Sequence, residues 1–134
     1  MTLSTQTSIA QEIGKASYYS KSLKGRKTSD GSRYHPDSLT CAHRTLAFGT
    51  WVLVRNINNN NTVVLKVTDR GPHTKNRVID VSFEAAKQLD FIRNGITLVE
   101  IITLDDLKKK FQIIPFEKTY LKTTFISPPL KLKL

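Results

Sequence analysis

Residues 50–68, TWVLVRNINNNNTVVLKVT, commit the chain to a β architecture more firmly than any other segment. Residues 50–55 and 62–68 are β-branched runs too short for helices of ordinary length. Between them, Asn56, Asn58, Asn59, Asn60 and Asn61 tolerate the positive φ angles that a tight hairpin demands. A third run, residues 96–104 (ITLVEIITL), is entered through Asn94-Gly95, and residues 77–81 (RVIDV) form a shorter strand. Ser82 is placed to cap a short helix over 83–89, with Glu84 in its first turn where the helix dipole favours an acid. Residues 16–19 add a short aromatic strand. Many short strands with one or two short helices argue for a compact barrel and against a layered α/β fold.

A chain of 134 residues suits one domain with ends. Residues 1–13 are Thr/Ser/Gln-rich and aperiodic, and are read as a disordered lead-in. Residues 14–104 are the barrel and 105–134 a basic C-terminal tail, in which 105–111 suits one or two helical turns. The polar loop KSLKGRKTSDGSRYHPDS is of a length that in so small a domain marks either a functional or a disordered segment.

The net charge of +10 favours an anionic partner, but its distribution matters more than its size. Residues 108–134 hold seven lysines and one acid, Glu117, so the remainder carries only +4. Nucleic-acid binding would ask for aromatics interleaved with basic residues or a recognition helix, and only Phe116, Tyr120 and Phe125 in the tail approach that pattern. Nucleic acid is therefore not expected as a partner. No apolar run reaches the length of a membrane span. The first residues, MTLSTQTSIAQEIGKA, offer neither the basic nor the apolar region of a signal peptide.

Cys41 is the sole cysteine, which excludes an internal disulfide and a zinc cluster. His35, His43 and His73 lack metal-binding spacing, so neither metal nor cofactor is expected. Asp69 ends a strand and enters Arg70-Gly71-Pro72, where glycine supplies an unusual backbone angle and proline fixes the next. Taken alone, it reads as a turn cap. Asp80 lies inside an apolar strand, VIDVS, and apolar neighbours would raise its pKa towards the range of a general acid.

The ordered set GKASYY from Gly14, GRKT, DG, LTCAHRTL, FGT, TDRGP, RVIDVS and AA resembles the rare lipoprotein A family of septal lytic transglycosylases over about residues 14–104. The resemblance implies a mainly β fold, a six-stranded double-psi β-barrel also used by expansins. It implies an endolytic enzyme of the cell envelope or periplasm, a lyase that cuts peptidoglycan glycan strands lacking stem peptides and leaves 1,6-anhydromuramyl ends. Asp80 is then the catalytic acid, with Asp69 and His43 in support. Ser17 or Tyr18 of the first strand, Ser32, His35, Asp37 and Arg70 are the expected glycan contacts, and the protein is expected to be a monomer. One acid suffices for this reaction: it protonates the leaving oxygen, then accepts the proton of the muramyl 6-hydroxyl as that group attacks its own anomeric carbon.

The departure lies in the loop. Family members commonly carry Glu directly after the glycine matching Gly31, and many an Asp three residues later; here these positions are Ser32 and His35. Two readings follow: an enzyme relying on Asp80, or a non-catalytic, expansin-like peptidoglycan-binding module.

Overall fold

The computed structural model describes residues 10–112. Six strands close into a barrel: β1 (Glu12–Tyr18), β2 (Thr40–His43), β3 (Trp51–Asn56), β4 (Thr62–Asp69), β5 (Arg77–Val81) and β6 (Thr97–Thr103). Their order around the barrel is β1-β5-β2-β4-β3-β6. The pairs β1/β5 and β2/β4 are parallel, whereas β3/β4, β3/β6, β1/β6 and β2/β5 are antiparallel. A short helix α1 (Phe83–Gln88) follows β5, and α2 (Leu104–Gln112) follows β6.

Period-2 alternation builds the core. Val52 and Val54 of β3, and Val63, Leu65 and Val67 of β4, point inward and are essentially inaccessible to water. Ile79, Val81, Val99 and Ile101 complete the lining, and Ala85, Ala86 and Leu89 of α1 join them with Phe91. Ser82 caps α1 as expected, its hydroxyl accepting from the Ala85 N–H.

The asparagine turn does more than reverse the chain. Asn60 takes the positive φ of 63°, and three amides reach beyond the hairpin. Asn56 and Asn59 donate to the Leu89 carbonyl at 2.9 and 3.0 Å, and Asn61 donates to Gln88 at 3.3 Å. These are carbonyls at the C-terminal end of α1, which the helix cannot satisfy itself.

Three sequence expectations shift. β1 begins at Glu12, inside the stretch read as a disordered lead-in, because Glu12 and Ile13 pair with Ile101 and Glu100 of β6 and need no apolar alternation to be held. β2 was not read as a strand: TCAH is four residues long with one β-branched side chain, and its pairing with both β4 and β5 decides its conformation. Leu104 leaves β6 to open α2, where Thr103 caps the Asp106 N–H at 3.0 Å. Residues 1–9 of the lead-in, and the tail from 113 with Glu117, Phe116, Tyr120 and Phe125, lie outside the described residues.

Candidate functional site

One row of side chains crosses four strands. In register, Ser17 of β1 pairs with Asp80 of β5, Asp80 pairs with Ala42 of β2, and Ala42 pairs with Asp69 of β4. Paired residues share a face of the sheet, and alternation sets this face opposite the one bearing Ala16, Cys41, Ile79 and Val81. Ala42 therefore spaces the two acids, whose Cα atoms lie two strand spacings apart, roughly 10 Å. A cavity of about 290 Å³ opens over the two acids of the row, lined by Asp69 and Asp80 with Tyr19, Arg26, Thr28, Ser29 and other residues of the polar loop.

The loop is ordered by its own backbone and by the barrel. Gly25 and Tyr34 exchange hydrogen bonds with the loop's other limb, Gly25 N–H to the Tyr34 carbonyl and Tyr34 N–H to the Arg26 carbonyl. Asp30 N–H docks on the Thr68 carbonyl at 3.1 Å. That contact carries Ser29 onto Asp69.

The two acids differ sharply in surroundings. Asp69 Oδ1 accepts from the Ser29 N–H at 2.9 Å, the Ser29 hydroxyl at 2.6 Å and the Arg70 N–H at 2.9 Å, while Oδ2 accepts from the Tyr19 hydroxyl at 2.6 Å. Partial burial pushes the Asp69 pKa up, but these donors outweigh it and hold the carboxyl below its ordinary value. Tyr19 responds in the opposite direction: burial and its bond to Asp69 push the phenol pKa up, so it stays a donor. Just beyond Asp69, Gly71 turns the chain at φ 127°, a conformation reserved for glycine, as the Arg70-Gly71-Pro72 sequence predicts.

At Asp80, Oδ1 accepts from the Ser17 hydroxyl at 2.5 Å and lies 3.6 Å from Arg77 Nε. Among the described residues no donor reaches Oδ2. The expectation of apolar neighbours is corrected: the flanking Ile79 and Val81 point to the opposite face, and Asp80 meets a hydroxyl and a guanidinium.

Alternation also sorts the remaining expected residues. Tyr18 faces the core side, packing edge-on against Phe83 and Phe91 and donating to the Ile92 carbonyl at 2.9 Å, whereas Ser17 reaches the Asp80 carboxylate without itself lining the cavity. His43 stands outside the cavity as well. Its Nδ1 accepts from the Thr45 and Leu46 N–H groups, which sets Nε2 to donate to Glu12 at 2.7 Å, and the ring is buried. Only the His43 carbonyl is connected to the cavity, through Arg70 Nη1 at 3.1 Å. Cys41 lies on the core side, where burial pushes its thiol pKa up.

In the loop, the Ser32 hydroxyl donates to Asp30 Oδ1 at 2.5 Å, in a knot that includes Thr28. His35 and Asp37 are exposed and bond each other, Asp37 N–H to His35 Nδ1 at 3.1 Å. None of these three lines the cavity; Arg70 does. Among the described residues, no cluster of three or more metal-ligating side chains forms. Tyr19 was missed by sequence reasoning, although the parity of β1 carries it: counting from a buried Ala16, residues 17 and 19 share the outer face. Ser29 gave no comparable signal, since only the docked loop brings it to Asp69.

The sequence model described as lytic transglycolase matches residues 11–101. The chain is 46% identical over 88 residues to the endolytic peptidoglycan transglycosylase RlpA of Campylobacter jejuni, covering 66% of this chain and 32% of that protein. The chain thus spans about a third of the length of that relative. Among solved structures, the apo expansin of Clavibacter michiganensis superposes with a TM-score of 0.58 at 22% identity, covering 70% of this chain and 50% of that one. The Streptomyces papain inhibitor superposes with a TM-score of 0.56 at 21% identity, covering 71% and 97%. These likenesses, with the closed six-stranded topology, establish the expected double-psi β-barrel. The chain belongs to the lytic transglycolase family.

Proposed function

We propose that this family member cleaves peptidoglycan glycan strands as an endolytic lytic transglycosylase, with Asp80 as the proton-handling group and Asp69 as a fixed negative charge beside it. The observation that carries the reading is the asymmetry of two carboxylates over one cavity. Asp69 has donors on both oxygens and a lowered pKa, whereas Asp80 presents an oxygen that no donor among the described residues reaches. Two acids whose environments differ in this way suit two roles.

Asp80 protonates the glycosidic oxygen as the bond to the anomeric carbon breaks. Positive charge develops on the sugar ring, and the ionised Asp69 stabilises it. The muramyl 6-hydroxyl then attacks the same anomeric carbon and gives its proton to Asp80, closing the 1,6-anhydro ring without water. The attack is intramolecular, so proximity supplies much of the rate. Ser17 positions Asp80, and Tyr19 with Ser29 positions Asp69. The likeness to an endolytic peptidoglycan transglycosylase supports peptidoglycan as the substrate and the cell envelope as the place of action.

A second reading, an expansin-like module that binds glycan without cutting it, is favoured by Ser32, which stands where the family commonly has Glu and spends its hydroxyl on Asp30. Digestion of purified glycan strands, intact and stripped of stem peptides, followed by mass spectrometry, separates the two. Anhydromuramyl ends are expected. Retention on peptidoglycan with no such ends would replace the enzyme with the binder.

A further inference from the structure

A second concavity, about 450 Å³ and more open, shares Arg70 and His73 with the cavity over the acids and is otherwise lined by Arg44, Gly71, Pro72 and Lys75. Among the described residues, no carboxylate lines it. Its two guanidiniums are fixed by a reciprocal clasp. Arg44 donates from Nε to the Pro72 carbonyl and from Nη2 to the Thr74 carbonyl, both at 2.8 Å. Arg70 donates from Nη1 to the His43 and Leu46 carbonyls at 3.1 and 2.7 Å, and its guanidinium lies 3.9 Å over the Phe48 ring. Each loop thus holds the other's arginine.

Carbonyls orient a guanidinium without neutralising it. Among the described residues, Arg44, Arg70 and Lys75 form no ion pair with a carboxylate. Three positive charges, two of them with geometry set before any ligand arrives, therefore border the acid-bearing cavity. Preorganised charge of this kind binds an anion at low entropic cost.

We propose that this concavity is a subsite for the carboxylate of an acidic sugar in the same strand whose glycosidic bond lies over Asp69 and Asp80. The proposal rests on the glycan reading above. Muramyl residues supply such a group, since their lactyl carboxylate is free wherever the stem peptide is absent. Arg44, Arg70 and Lys75 then tell a strand with free carboxylates from one in which they are capped.

Binding, not cleavage, tests this, so that its failure and the failure of the enzyme reading are separable. Peptide-free glycan strands are compared with the same strands amidated by carbodiimide and methylamine, using calorimetry on the full chain. Wild type is expected to bind the amidated strands about fivefold more weakly, the scale of a partly exposed charge-assisted contact. Lys75→Glu, with folding checked by thermal melting, is expected to lose most of that discrimination. Lys108→Glu, an equal charge change on α2, is expected to keep it. Equal affinity of wild type for both strands overturns the proposal, as does full discrimination by Lys75→Glu. Equal loss in Lys108→Glu also overturns it, because the effect would then be overall charge and not a subsite.

Discussion

The ends of β4 and β5 carry the same chemical group into one cavity and treat it in opposite ways. At the end of β4 the chain turns through Gly71, the polar loop docks, and four donors converge on Asp69. On β5 the strand runs straight into the cap of α1, and Asp80 receives one hydroxyl from its parallel neighbour. Where a turn surrounds it, the carboxylate has donors on both oxygens; where a strand carries it, Ser17 and Arg77 approach a single oxygen. The difference comes from backbone, not residue type.

The largest test of that contrast is Asp80→Asn. Amide for acid removes the proton carrier while keeping size and the acceptor for Ser17, so glycan cleavage should fall about 10²- to 10⁴-fold with the melting temperature little changed. Comparable loss on Asp69→Asn with no loss at Asp80 would reverse the assignment. His43→Ala, on the other face of the sheet, should cost about 2 kcal/mol in denaturant unfolding by emptying the space of a buried ring and removing its hydrogen bonds to the Thr45 and Leu46 N–H groups and to Glu12. Glycan affinity should be retained, and its disappearance would bring His43 back to the site.

Asp69→Asn should destabilise by about 1 to 2 kcal/mol, since the amide offers its donors one acceptor atom in place of two. Here the pH dependence has a fixed sign. The folded pKa of Asp69 lies below the unfolded value, so the carboxylate contributes stability above about pH 4 and loses it as pH falls through the folded pKa. The gap between wild type and variant in chemical denaturation should therefore be constant near neutrality and narrow in acid. A gap that widens in acid would contradict the hydrogen-bond account. Smallest is Tyr19→Phe, expected to cost about 1 kcal/mol and to raise the Asp69 pKa, read by carbon-detected titration of the side chain.

How much of this was legible in the sequence depends on what held each residue in place. Val52, Val54, Val63, Leu65 and Val67 announce their strands because alternation and burial agree. Ser82 announces its helix because capping is local. Asp69 and Asp80 were legible through the family's motifs, and Ser17 stood there as one of two choices. The site's composition was less legible. His43 was expected to support the acids because it keeps the family's histidine, but it lies one step along β2 from Ala42, and one step along a strand reverses the face. Ser32, His35 and Asp37 belong to a loop whose path is decided by Asp30 on Thr68 and by Tyr34 on Gly25 and Arg26, contacts that no local pattern encodes. Arg44 and Arg70 are brought together only by tertiary structure.

The asparagine turn also bears on how the barrel opens. Its hairpin closes over few residues and so carries a small loop-entropy cost, yet its amides hold the last carbonyls of α1, which lie about thirty residues further along the chain. Separating that helix end from the turn would strand the Leu89 carbonyl without two of its donors. The β3–β4 turn and the helix beyond Asp80 are therefore coupled in local unfolding, and slow amide exchange in one should accompany slow exchange in the other.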